Sequence, residues 1–462
     1  MSRRILFIGL DAVPDKLLFN DLIDDLPNIS DLLRKGVYGT LRSCDPPITV
    51  PAWTVMMSSK DPGTLGIYGF RHRRGNGYTD PWIVNSGTVK EMRVWEILGN
   101  YGKRSTIVGL PPAYPPFRLN GKLVSCFLTP KGAEQYTYPP ELKRDIESLV
   151  QDYKFDVIFR TEDRKTILDD IYDMTKKRFM VVQELSKYDD WDFFMFMEIG
   201  TDRLHHAFWK YYDETHPKYV ENNEYESVIP DYYRFLDQKI GELLLSVAND
   251  NTIIIIASDH GTKAMNGALC INEWLIKEGF LVLKNYPEKV IDIESADVDW
   301  ERTTAWGWGG YYARIFLNVQ GREPLGKIKK DDYESIRETL AEKIRNITDP
   351  AGKEMDTRVL RPEEAYKNVV GDKPDLMVYF DNLFWRSAGT IGHNTMYLSE
   401  NDTGPDDSVH SHNGIFIMYD PQLELRGRVD LSIYDVAPTI LDLLGIAIRP
   451  DMQGRSIVSN IL

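Results

Sequence analysis

Imidazole and carboxylate side chains gather in three short segments of this sequence. His260 follows Asp259 directly, at the end of the apolar run 251–257. His205 and His206 stand three and four residues after Asp202. His410 and His412 sit in DDSVHSHNGIFIMYD, a polar loop that leads into another apolar run. These segments hold five of the eight histidines in the chain. Carboxylate oxygen and imidazole nitrogen are the donors that Zn²⁺ and similar ions take, at about 2.0–2.2 Å. Residues four apart on a helix share a face, so Asp202 and His206 can hold one ion together. Taken singly, each piece also has a plainer reading. An Asp-His pair at a strand end can be a solvated loop, and Asp11 can cap a helix that begins at Pro14.

Donors so far apart in sequence need a framework that brings them together. Short apolar runs at 4–10, 191–197, 251–257 and 375–380 each end in a polar or acidic residue. Continuous runs of this length suit strands buried on both faces. Residues 167–185 and 232–247 repeat apolar positions at three- and four-residue spacing, the helical signature. Alternating strands and helices predict an α/β fold, a three-layer αβα sandwich around a mostly parallel sheet. Ligands of such sheets gather beyond the carboxyl ends of the strands. Asp11, Asp202, Asp259 and His260 all fall just after predicted strands.

The stretch 279–371 has a different texture, with an acidic run (291–301), a Trp/Gly/Tyr-rich segment (306–312) and a charged helical stretch (333–347). It is expected to be an inserted cap, with 1–278 and 372–462 forming the catalytic core. The segment SIYDVAPTILDLLGI, from Ser432, is expected to be a helix packed back on that core, with Pro438 starting or interrupting it.

Hydrophobic residues make up 42% of the chain and charged residues 27%, an ordinary globular balance. The formal net charge of −15 argues against a polynucleotide as partner, although it leaves room for a local basic pocket. Cys44, Cys126 and Cys270 are too few and too odd for a disulfide framework, and a cytoplasmic location is expected. The N-terminal run ILFIGL is six residues long and meets Asp11 and Pro14, so a first strand fits better than a signal peptide. No apolar run approaches the ~20 residues that span a bilayer.

In order along the chain, LFIGLDA, PPITVPAWTVMMSSKDPGTLGIYGF, EIGTDRLHHAFW, IIIIASDHGTKAMNGALCINEWL, AWGWGGYYARIFLNVQGRE, KPDLMVYF, HSHNGIFIMYD and DVAPTILDLLGI resemble the alkaline phosphatase superfamily, in particular its type I phosphodiesterase/nucleotide pyrophosphatase branch. The resemblance covers nearly the whole chain. It implies a metal-dependent hydrolase of phosphate esters with Thr49, in TVPAW, as nucleophile and a phosphothreonine intermediate. It implies two divalent ions, zinc by family default with Mn²⁺ also acceptable. One would be held by Asp202, His206 and His410, the other by Asp11, Thr49, Asp259 and His260. His412 competes with His410 for its place, and His205 is expected to be a neighbour of the ion rather than a ligand. The implied substrate is a small phosphodiester or nucleotide-like molecule, and neither oligomeric state nor native substrate follows.

Rival activities on the same metal site are a phosphomonoesterase or a phosphoglycerate-type mutase, with a non-catalytic binding protein further off. Sulfatases of the superfamily need cysteine or serine where this chain has Thr49. One departure is Leu65, where many relatives carry a histidine before the glycine. Trp53, Phe70, Trp306, Trp308, Tyr311 and Tyr312 could stack on a base or simply pack the insertion. Arg71, Arg73 and Arg74 could meet an additional phosphate or face solvent.

Overall fold

The apolar run at the N-terminus is the strand Arg4–Leu10, and its side chains from Ile5 to Ile8, with Leu10, are fully buried. Each such burial contributes roughly 1.5–3 kcal/mol relative to exposure. A strand covered on both faces belongs in the middle of a sheet. Arg4–Leu10 pairs in parallel with Phe193–Glu198 on one side and Thr252–Ala257 on the other. The structure, a computed structural model, describes residues 3–188 and 190–458. The outermost residues of the expected core, 1–2 and 459–462, lie outside the described residues.

The sheet has ten strands. Ser105–Val108 and Gly121–Val124 extend it in parallel beyond Phe193–Glu198, and Thr137–Tyr138 closes that edge in antiparallel fashion. Across the other half, Asn413–Tyr419 runs antiparallel between Thr252–Ala257 and Val37–Arg42. Two groups of mutually packed helices flank it. Arg164–Ser186, Gly200–Tyr212, Val228–Val247 and Pro27–Lys35 form one; Thr49–Ser58, Val94–Asn100 and Val436–Leu443 form the other. This is the expected αβα sandwich. The C-terminal helix Val436–Leu443 accommodates Pro438 without breaking, because the proline stands in its first turn, where the backbone N–H it lacks would have no partner within the helix.

A second, smaller core lies beside the large one. Ala305–Trp308, Ala313–Leu317, Leu376–Tyr379 and Arg358–Leu360 form a four-stranded antiparallel sheet in that spatial order. Leu340, Ala341 and Ile344 from the helix Tyr333–Arg345 pack into the same core. The run 375–380 is therefore a strand, but it serves this antiparallel sheet rather than the parallel one. Its continuous apolar character reflects burial on both faces: Leu376 and Val378 enter the small core, while Met377 and Tyr379 pack on the other side with Ile48, Tyr68, Tyr312 and Tyr366.

A candidate two-cation centre

Register brings the first donors together. Leu10 stands opposite Glu198, and Gly9 opposite Ala257, so the parallel strands end level. Asp11 leaves the first strand, Asp259 and His260 leave the third, and one oxygen or nitrogen from each lies within 4.8 Å of the others. Thr49 opens the helix Thr49–Ser58. Its Oγ1 is 3.5 Å from Asp11 Oδ1 and 3.4 Å from His260 Nε2. Pro51 in the first turn presets the helical backbone. The partial positive end of the helix therefore faces the Thr49 hydroxyl and whatever anion meets it.

Two contacts fix Asp11. Trp53 Nε1, one turn along the same helix, donates to Asp11 Oδ2 at 2.8 Å. Thr201 Oγ1 donates to the Asp11 carbonyl at 2.5 Å. The Trp53 ring lies so close to the first strand that a Cβ on Gly9 would stand 2.6 Å from it. Only glycine fits there.

The second trio is Asp202, His206 and His410, again with donor atoms within 4.8 Å of one another. Asp202 and His206 are one turn apart on the helix Gly200–Tyr212, with His206 Nε2 3.3 Å from Asp202 Oδ1. His410 comes from Ser408–Ser411, which pairs antiparallel with Gly261–Ala264 so that His410 stands opposite Thr262. The rings of His410 and His260 stack at 3.8 Å, joining the two trios.

The tautomers are dictated by the outer partners. His410 Nδ1 donates to the Pro47 carbonyl at 2.8 Å, and His260 Nδ1 to the Gly261 carbonyl at 3.1 Å. Their Nε2 lone pairs thus point into the centre. His206 Nδ1 meets Asp406 Oδ1 at 2.6 Å. A carboxylate behind a histidine is the arrangement that orients metal-bound imidazole.

Asp202 Oδ1, Asp259 Oδ2 and His410 Nε2 are buried without a hydrogen-bond partner among the described residues. Buried polar atoms are normally paired. Burial, reinforced by the charge of Asp202, pushes the Asp11 carboxyl well above its ordinary range, against the hydrogen bond from Trp53. Asp259 is raised by burial and by Asp11. Burial also opposes ionisation of Asp202, but His206, Arg203 and His410 outweigh it and hold that carboxyl low. Burial lowers His260 to about 4 and holds His410 well below the ordinary histidine range. Three aspartates and three histidines, with orphaned atoms on Asp202, Asp259 and His410, form a donor set that divalent cations fit.

Of the residues singled out in the sequence, Asp11, Thr49, Asp202, His206, Asp259, His260 and His410 are thus brought to one place. His412 faces outward to Asp45 Oδ1 at 2.7 Å. His205 is satisfied in the core by Thr262 and Tyr233. His72 is buried beside Tyr68 and Trp82, and burial lowers it to about 3. His216 is also buried, and ties its loop to the Asp407 carbonyl. The arginine cluster splits apart. Arg73 turns inward to Asp372 and Glu323, Arg74 pairs with Asp80 at the surface, and only Arg71 reaches the cavity next to the centre.

Two residues escaped sequence reasoning. Asp406 binds His206 and also takes hydrogen bonds from Arg160 and Arg386. It adjoins Asp407 in a loop that offered no cue to choose between them, although it precedes His410 by four residues. Arg314 gave no signal beyond its place in an aromatic strand. The cavity itself measures about 370 Å³. Tyr311 forms part of its wall, stacking on His410 at 3.6 Å while its hydroxyl meets His206 Nε2 at 3.0 Å.

The model of the type I phosphodiesterase / nucleotide pyrophosphatase family matches residues 5–406, which includes every member of the two trios except His410. No curated protein sequence matches the chain. Among solved structures, human ectonucleotide pyrophosphatase / phosphodiesterase 5 is similar, with a TM-score of 0.59, 13% identity, and coverage of 99% of this chain and 98% of that one. The murine protein of the same name, as an inactive variant in complex with AMP, matches with a TM-score of 0.58 at 13% identity, over 100% and 99% of the two chains.

Proposed function

The chain belongs to the type I phosphodiesterase / nucleotide pyrophosphatase family, and from that premise we propose that it hydrolyses phosphodiesters with Thr49 as nucleophile and two divalent cations in the two trios. Asp202, His206 and His410 would hold one cation; Asp11, Asp259, His260 and the Thr49 oxygen would hold the other. Zn²⁺ is the proposed metal, with Mn²⁺ able to replace it. The observation that carries this reading is the position of Thr49 Oγ1 at a helix N-terminus, facing both Asp11 and His260.

Bound cations would favour ionisation of the Thr49 hydroxyl and offset charge on the phosphate and the leaving oxygen. The chain's own groups do the rest. Asp11, held by Trp53 and Thr201, orients the hydroxyl. Thr49 Oγ1 forms a bond to phosphorus as the bond to the leaving alcohol breaks, and that alcohol takes up a proton. Water then attacks the phosphothreonine ester, restores the hydroxyl and releases a phosphate monoester. Residues 279–371 are proposed as the cap, with Tyr311 touching His206 and His410 of the centre. A nucleotide-like substrate is favoured by the aromatic wall of the cavity and by the murine relative's complex with AMP.

The test is an acid quench of the turning-over enzyme followed by peptide mass measurement. A phosphorylated Thr49 peptide is expected, absent in Thr49→Ala. Diester turnover without any such adduct under rapid quench, and undiminished in Thr49→Ala, would remove the nucleophile. Hydrolysis of p-nitrophenyl phosphate but never of bis(p-nitrophenyl) phosphate would make the protein a phosphomonoesterase.

A further inference from the structure

Five arginines line the cavity beside the two trios: Arg71, Arg160, Arg203, Arg314 and Arg386. Asp292, Glu294 and Asp402 share that wall, so in a chain of net charge −15 the cavity carries an excess of cations. Three of the five already have carboxylates. Arg203 bonds to Asp156 and Asp202, while Arg160 and Arg386 share Asp406. Arg71 approaches Glu294 only to 3.9 Å.

Arg314 is different. Its residue surface is 5% exposed, yet no carboxylate oxygen among the described residues comes within 4.0 Å of its guanidinium. Its Nη1 donates to the Arg71 carbonyl at 2.5 Å, and its plane lies 5.0 Å from the centre of the Trp308 ring. A guanidinium offers five donors in one plane, so most of them remain for a ligand. It also stays charged at neutral pH, and a buried charge without a partner is costly. Burial accordingly pulls Arg314 below the ordinary arginine range. A Cβ on Gly69 would stand 3.6 Å from the guanidinium carbon, in contact with that face, which the glycine leaves uncovered. The three acids on the cavity wall do not fill the gap. Asp402 is taken by the backbone of Gly389 and the hydroxyl of Thr390, Glu294 faces Arg71, and Asp292 forms no ion pair with Arg314.

We propose that this cavity is an anion subsite in which Arg314, assisted by Arg71, takes a second phosphate of the substrate while the scissile phosphate sits at Thr49. The assignment rests on the phosphodiesterase reading for the place of the scissile group. It narrows the substrate to a phosphate ester or anhydride with another phosphate beyond the bond that is cut. Trp308 and Tyr311 in the same wall suit a ring between the two phosphates.

The test is calorimetric titration of metal-loaded Thr49→Ala protein with AMP, ADP and adenosine 3′,5′-bisphosphate. At least one two-phosphate nucleotide is expected to bind roughly tenfold or more tightly than AMP, the scale of one charge-assisted hydrogen bond. Adding Arg314→Met should remove that gain. Equal affinity for all three nucleotides, or a gain that survives Arg314→Met, overturns the subsite. Should Arg314→Met unfold early, Arg71→Met, at a side chain 43% exposed, carries the same prediction in reduced form, and an unchanged gain overturns the subsite equally. Hydrolysis by the wild type is measured apart from this. Its failure would sink the phosphodiesterase reading alone, and loss of the binding gain would sink the subsite alone.

Discussion

Asp406 sets how His206 presents itself to the centre, because its Oδ1 holds Nδ1 at 2.6 Å while Arg160 and Arg386 hold its other oxygen. Replacing such an outer carboxylate costs about 10–100-fold in metal affinity. Asp406→Asn is therefore expected to weaken the Asp202/His206/His410 trio by that factor in competition with a chelator. Unchanged affinity would mean that His206 needs no orientation. The centre also leaves a signature in metal-free protein. Asp11, Asp259 and His206 are all raised: Asp11 by burial and the charge of Asp202, Asp259 by burial and the charge of Asp11, His206 because Asp406, Tyr311 and Asp202 overcome its burial. The folded state then retains protons that the unfolded chain has released, so stability is lost as pH rises through the raised values. The histidines lowered by burial give the opposite slope, but only below the ordinary histidine range near ~6.5. Above that range the raised groups of the centre set the slope, opposed by Lys263, which burial lowers to about 8, and the melting temperature of metal-free protein should fall as pH rises. Adding metal should flatten that fall, and a flat metal-free profile would contradict the account.

At the scale of elements, the centre depends on parallel strands that end level and on one helix pressed against the first of them. Gly9→Ala places a Cβ into the Trp53 ring, which stands 2.6 Å away. Overpacking of this kind costs about 1–3 kcal/mol. Denaturant midpoints should show that loss, together with reduced turnover as Trp53 leaves Asp11; a variant with native stability would mean that the ring yields easily. Much of this was legible in the sequence. The strands 4–10, 191–197 and 251–257 announced themselves by unbroken apolar runs, and their acidic ends marked the centre because carboxyl ends of parallel strands converge. The run 375–380 looked the same but lies in the antiparallel sheet, since an apolar run records burial and not the identity of the partner strand. Asp406 and Arg314 were illegible for another reason. Their roles arise from neighbours more than a hundred residues away, Asp406 beside His206 and Arg314 beside Arg71, and no local pattern encodes such a contact.

Two large hydrophobic cores and a smaller aromatic cluster organise the described residues. The strand ends belong to the largest core, and Tyr311, packed against the aromatic cluster with Tyr68, Tyr312 and Tyr379, reaches His410 and His206. Cations that bind only the folded chain add stability by mass action, about 2.7 kcal/mol per site at one hundred times the dissociation constant. Stripping metal should thus lower the unfolding midpoint measurably, and wild type and Thr49→Ala should shift nearly alike, because Asp11, Asp259 and His260 remain in both. A large stabilisation seen only in wild type would make Thr49 the dominant ligand rather than the nucleophile. Joint catalysis by Thr49 and the two trios is tested by hydrolysis of bis(p-nitrophenyl) phosphate by wild type and Thr49→Ala, after stripping and then restoring Zn²⁺ or Mn²⁺. Wild-type activity is expected to disappear on stripping and to return with metal, and activity in Thr49→Ala to be at least about 1,000-fold lower, the scale of removing a catalytic nucleophile. Turnover that ignores metal, or that survives the loss of Thr49, would contradict it.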